Sequence, residues 1–232
     1  MDDAQHALGY GIPIRFDPVG DFLSAYAGPA RGDLDVVMAG AFLSGPDEVV
    51  LSGTHAGLIG ATPGAAYVWG VDRGAGAELL TMLDPPVGEG VVFDAVVVVL
   101  PDGTGSFIDL AGGGAPQALD PSSVSISGPT ISVTLPRSLL PSQGFDFTDY
   151  GYNLWPRFAP DGVDPGDNAQ ISDFAPDAST FVARPYGPDD DETPVLYAHG
   201  DASGGLADLT GQAGDGGAAM LPVSTSPDYH LA

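Results

Sequence analysis

The 232-residue chain contains no cysteine and no lysine, and six arginines are its only permanent side-chain cations. Without cysteine there is no disulfide, no thiolate metal site and no thiol nucleophile. Arg15, Arg31, Arg73, Arg137, Arg157 and Arg184 are scattered along the sequence, so no basic cluster exists to hold phosphates, and nucleic acid is not an expected partner. Long apolar runs are missing too. The longest, VVFDAVVVVL at 91–100, is interrupted by Asp94 and too short to cross a bilayer, so no transmembrane segment is expected. The opening MDDAQHALGYG has neither a basic region nor an apolar run, so no Sec-type leader is legible, which leaves a removed leader and a C-terminal export address as alternatives. Catalytic signatures are also lacking. His6, His55, His199 and His230 are dispersed, no GxSxG, HExxH or Walker pattern occurs, and a non-enzymatic role is expected.

What the chain has in excess is negative charge. Its 31 acidic residues give a formal net charge of −25. Self-repulsion on that scale opposes compaction unless counter-ions relieve it, and divalent cations do so most effectively. A salt-adapted or merely soluble acidic surface is the alternative reading. The 44% hydrophobic content is that of a chain that folds, while 34 glycines and 22 prolines exclude long helices.

Taken in order, the sequence reads as short strands between turn signals. Ile12, Ile14 and Phe16 alternate with Pro13 and Arg15, as on an edge strand, and run into the turn Asp17-Pro18-Val19-Gly20-Asp21. Residues 32–44 read as a long strand, joined through Gly45-Pro46-Asp47-Glu48 to a second at 49–52. In a strand over 66–73, Tyr67, Trp69, Val71 and Arg73 share one face, and Ala66, Val68, Gly70 and Asp72 the other. The run at 91–100 reads as a central strand, closed by Asp102-Gly103 and paired back by 106–110. VSIS at 124–127 and TISVTL at 130–135 follow, the latter with Ile131, Val133 and Leu135 inward. A helical turn at 137–140 and strands at 150–155 and 179–183 complete the pattern. The expected fold is all-β, a jelly-roll-like β-sandwich with long Gly/Pro/Asp-rich loops over residues 12–185. A short extension at 1–11 precedes it, and an acidic Gly/Asp-rich tail at 186–232 follows.

Two loops carry chemistry. DPGDNAQISDFAPD at 164–177 concentrates Asp164, Asp167, Asn168, Asp173 and Asp177, and hard cations take carboxylate and amide oxygens of this kind. If a sandwich brings its first and last strands together, the turn at 17–21 joins that loop. Calcium is therefore the expected cofactor, with Asp17, Asp21, Asp167, Asn168 and Asp173 as candidate ligands. Asp-Pro and Asp-Gly pairs are also plain turn formers, which is the competing explanation. Tyr67, Trp69, Tyr152 and Trp155 are candidates for a stacking platform on sugar rings, against the commoner use of such residues in a sandwich core.

The segments DPVGD (17–21), GDLDVV (32–37), IGATPGAAYVWGVDRGAG (59–76), VVFDAVVVVLPDGTG (91–105), LPRSLLPSQGF (135–145), YNLWPR (152–157) and NAQISDFAPD (168–177) together resemble an uncharacterised domain of exported bacterial proteins. Some of those proteins carry sorting tails or hemolysin-type calcium-binding repeats. More distantly, DPVGD, NAQISDFAP and the strands between them are similar to the superfamily of DOMON, family 9 carbohydrate-binding and glucodextranase C-terminal modules. The resemblance implies a calcium-binding sandwich with Asp17, Asp21 and Asp173 as ion ligands and Asn168 nearby. It also implies export. Met38 and His55 stand isolated, which argues against the haem-binding branch.

These observations together lead to one expectation, a secreted or cell-surface module stabilised by calcium and acting without catalysis in adhesion, matrix or carbohydrate binding. Its partners would be calcium, polysaccharide or copies of itself. The alternatives are a structural subunit of an extracellular filament or layer assembled by strand addition, and a polysaccharide-acting hydrolase.

Overall fold

The computed structural model describes residues 14–185, and both the extension at 1–11 and the tail at 186–232 lie outside the described residues. Among the described residues, twelve strands are interspersed with short 3₁₀ turns: β1 (Ile14–Phe16), β2 (Val36–Leu43), β3 (Glu48–His55), β4 (Ala65–Asp72), β5 (Ala95–Val99), β6 (Gly105–Asp109), β7 (Gln117–Ala118), β8 (Val124–Ser127), β9 (Thr130–Pro136), β10 (Gly151–Phe158), β11 (Phe181–Val182) and β12 (Arg184–Pro185). One sheet has the order β1-β2-β3-β9-β8, with β12 also pairing β2, and the other runs β11-β10-β4-β5-β6-β7. All pairings are antiparallel except β12 with β2. The expected β-sandwich is the observed fold. Hairpins keep β2–β3, β4 to β7, and β8–β9 each within one sheet, and the chain changes sheets after β3, β7, β9 and β11. Among the described residues, no helix is long and apolar enough to cross a membrane.

The core forms where the two inner faces meet. Val36, Ala39, Ala41, Val49, Leu51, Ile131, Val133 and Leu135 of the first sheet pack with Tyr67, Trp69, Val71, Val97, Val99, Tyr152 and Leu154 of the second. Strict alternation along β9 puts Ile131, Val133 and Leu135 inside, as its sequence predicts. β4 behaves differently, because all eight of its residues are buried. Its odd positions face the other sheet, while Val68 joins Trp155 of β10 beneath Leu80, Val91, Phe93, Ile171 and Phe174. The loops that follow β4 and β10 thus cover the outer face of the second sheet. Gly70 permits this covering, since a Cβ there would lie 2.5 Å from the Trp155 ring.

The strand expected over 32–44 is shorter. Residues Gly32–Leu34 form a 3₁₀ turn, and β2 begins at Val36. The buried Asp33 carboxylate accepts hydrogen bonds from the Thr62 backbone N–H (2.7 Å) and hydroxyl (2.6 Å), which competes with extended pairing in this stretch. That turn separates Asp33 from Asp35, and the two residues have different roles.

A second fixed point is the buried Arg73 at the end of β4. Its guanidinium donates to Asp94 (2.7 Å), Asp109 (2.6 Å) and the Pro141 carbonyl (3.3 Å). Asp94, the charge that interrupts the apolar run, also accepts from the Arg73 and Ala75 backbone N–H groups. The arrangement satisfies a buried charge at nearly every donor and acceptor.

Candidate metal centre

Three segments converge at one margin of the sandwich: the turn after β1, the residues entering β2, and the loop after β10. Backbone hydrogen bonds fix their approach. Asp17 N–H donates to the Val37 carbonyl (3.1 Å) and Leu23 N–H to the Ser172 carbonyl (2.9 Å), while the Ser172 hydroxyl donates to the Leu34 carbonyl (2.7 Å). Gly20, at φ +85°, adopts a left-handed turn that favours glycine and aims its N–H at Asp35 Oδ2, 2.9 Å away.

This convergence gathers five carboxylates. Oxygens of Asp17, Asp21 and Asp177 lie within 4.8 Å of one another, and so do oxygens of Asp21, Asp35 and Asp173. Asp173 is fully buried, and its two oxygens accept from the backbone N–H groups of Val36 (2.8 Å) and Phe174 (2.8 Å). Asp35 is 4% exposed. Its Oδ2 is held by Gly20, but its Oδ1 has no hydrogen-bond partner, and neither do the buried Asp17 Oδ2 and Asp21 Oδ1. Buried carboxylate oxygens without a donor are costly and unusual. All three belong to residues of the two triads, whose oxygens are of the kind a hard cation takes.

The electrostatics agree with this geometry. Burial, reinforced by Asp173, Asp21, Asp177 and Asp35, pushes the Asp17 carboxyl up to about 8. Burial also raises Asp173 to about 8, with Asp21 and Asp35 adding to the shift and the Val36 and Phe174 N–H groups opposing it. Asp35 is raised chiefly by burial, against the Gly20 hydrogen bond, and Asp177 by burial and then Asp21. Every neighbour that acts on Asp17 by charge is another carboxylate. Such a set is stabilised either by holding protons or by binding a metal ion.

Of the ligands expected from the sequence, Asp17, Asp21 and Asp173 come together, although they arise from opposite ends of the domain. Asp167 belongs to neither triad, and the Asn168 amide group is engaged with the loop after β4. Asp167 Oδ1 accepts from Ala169 N–H (3.0 Å) as the cap of the 3₁₀ turn Asn168–Gln170. Buried Asn168 donates through Nδ2 to the Leu80 (2.7 Å) and Pro85 (2.8 Å) carbonyls, which fastens the loop after β4 over the second sheet. Asp164 likewise turns inward on its own loop, accepting from Gly166 N–H (2.9 Å). Asp35 was not legible as a ligand, because GDLDVV reads as the start of a strand. Its proximity to the turn at 17–21 follows only from the pairing of β1 with β2.

The aromatic candidates are corrected by their burial. Tyr67, Trp69 and Tyr152 are 0% exposed and Trp155 is 1% exposed. A sugar platform needs an open ring face, and these rings lie between the sheets or beneath the loop layer. They are core residues. Compared with protein-family models and with curated proteins, the chain matches none.

Proposed function

We propose that this protein is a calcium-stabilised, non-catalytic β-sandwich module of the cell exterior, serving adhesion, matrix or carbohydrate binding, in which the carboxylate cluster acts as a calcium clasp. The observation that carries this reading is the unpartnered Oδ1 of the buried Asp35, grouped with Asp21 and Asp173. All the side chains in the cluster offer oxygen, with neither imidazole nor thiolate, and that donor set suits calcium over zinc, copper or nickel. Calcium also tolerates an irregular shell of six to eight oxygens, whereas magnesium demands near-ideal octahedral geometry. The ion would tie the turn after β1 to the entry of β2 and to the loop after β10, and so close the sandwich margin without a disulfide.

An exterior setting fits this chemistry, because extracellular calcium modules operate with dissociation constants of roughly 10⁻⁴–10⁻³ M. The resemblance of the quoted segments to exported bacterial domains supports the same location. The biological ligand of the module meets a surface other than the four buried aromatics.

Crystals grown with calcium, or soaked with a lanthanide, test the clasp. Strong anomalous density among Asp21, Asp35 and Asp173 is expected. A cluster that stays free of ion density at millimolar calcium and neutral pH would refute it.

A further inference from the structure

The five carboxylates form two triads that share a single member, Asp21. Oxygens around one calcium lie about 2.3–2.6 Å from it, so two ligands of the same ion can be no more than roughly 5 Å apart. Each triad meets that limit by itself. The triads also differ in setting. Asp35 and Asp173 are buried and held by backbone N–H groups from Gly20, Val36 and Phe174, whereas Asp177 is exposed and Asp17 is half-buried. Both triads contain buried oxygens that lack a donor, Asp35 Oδ1 in one and Asp17 Oδ2 in the other, and the shared Asp21 Oδ1 lacks one too.

We propose that the cluster binds two calcium ions bridged by the Asp21 carboxylate, an inner ion on Asp35 and Asp173 and an outer ion on Asp17 and Asp177. This inference rests on the calcium clasp and specifies its stoichiometry and order. Charge favours it. One divalent ion leaves five carboxylates with three uncompensated charges, and a second reduces that to one. The inner ion has preorganised, buried ligands and performs the structural closure. The outer ion lies beside an exposed ligand, so water completes its shell and it exchanges faster and binds more weakly.

Calorimetric titration of the full chain with calcium, after chelator treatment and in about 0.1 M KCl to screen weak surface binding, separates the possibilities. The unsubstituted protein is expected to take up two equivalents with distinct affinities. Asp177→Ala is expected to lose the weaker equivalent alone, and Asp177 is exposed enough for the fold to tolerate the change. One equivalent in both proteins overturns the second ion while leaving the clasp intact. Two equivalents in both place the second ion elsewhere and overturn the proposal equally. No uptake in either removes the clasp itself. Terbium luminescence gives a second readout, with more bound waters expected on the outer ion than on the inner one.

Discussion

The Asp173 carboxylate accepts a hydrogen bond from the Val36 backbone N–H at 2.8 Å, across a separation of 137 residues. This contact joins the loop after β10 to the first residue of β2, in the wall of the acidic cluster. The carboxylate is therefore both a structural acceptor and a candidate metal ligand. Asp173→Ala leaves the buried Val36 and Phe174 N–H groups without an acceptor and is expected to cost about 3 kcal/mol. Urea denaturation in calcium would measure the loss. A cost near zero would mean that the loop is not fastened there.

Asp35→Asn separates a ligand from a simple hydrogen-bond acceptor. The amide oxygen still accepts from Gly20 N–H, but the charge is gone. In chelator the variant is expected to melt a few degrees higher than the parent, because it relieves repulsion from Asp21. In calcium it is expected to melt lower. A substitution whose sign does not change between the two conditions would contradict the role given to Asp35.

Acidity should act on the metal-free protein in an unusual direction. Asp17 and Asp173 are raised to about 8 when folded, above the unfolded carboxyl range near 4, so the folded state holds protons that the unfolded state has lost. Stability is then full below about pH 4 as far as these groups are concerned, and it falls as pH rises toward 8. His55 opposes this on the acid side. It is buried with both ring nitrogens unpartnered and lowered to about 3, so below about pH 6.5 the unfolded chain takes up a proton that the folded chain refuses. The carboxylate effect is therefore read cleanly between pH 6.5 and 8, where chelated protein should lose stability and calcium-loaded protein should not. Parallel melting curves across that window would count against raised carboxyls.

Arg73 supplies a control that does not depend on metal. Arg73→Leu leaves Asp94 buried without its ion partner and is expected to cost about 3–5 kcal/mol. Arg73→Lys should recover little of this, because an ammonium cannot bridge Asp94 and Asp109 in the fork geometry. Both changes are expected to lower the denaturation midpoint equally with calcium and with chelator. A calcium-dependent effect would show that the two networks are coupled.

Much of the sandwich was legible in the sequence because its inner strands obey simple rules. The alternation in TISVTL predicts the inward set Ile131, Val133 and Leu135, and the structure buries all three. The two-faced burial of β4 was not legible, since nothing in its own residues reports that the loops after β4 and β10 fold over Val68 and Trp155. The candidate centre divides in the same way. DPVGD and the loop at 164–177 stand out by composition, but composition does not distinguish an Asp that caps its own turn, such as Asp167, from one that faces a distant carboxylate, such as Asp173. Asp35 depends on long-range pairing, because only the register of β1 on β2 carries the turn at 17–21 to it.

The most direct test of the calcium clasp is thermal melting of the full chain at pH 8, in chelator and then across a series of calcium concentrations up to several millimolar. An ion that binds only the folded state stabilises it by about 2.7 kcal/mol at a hundredfold excess over its dissociation constant. The midpoint is therefore expected to climb steadily with the logarithm of free calcium, and Asp35→Asn to suppress that climb. A midpoint that does not move between chelator and millimolar calcium would contradict the clasp.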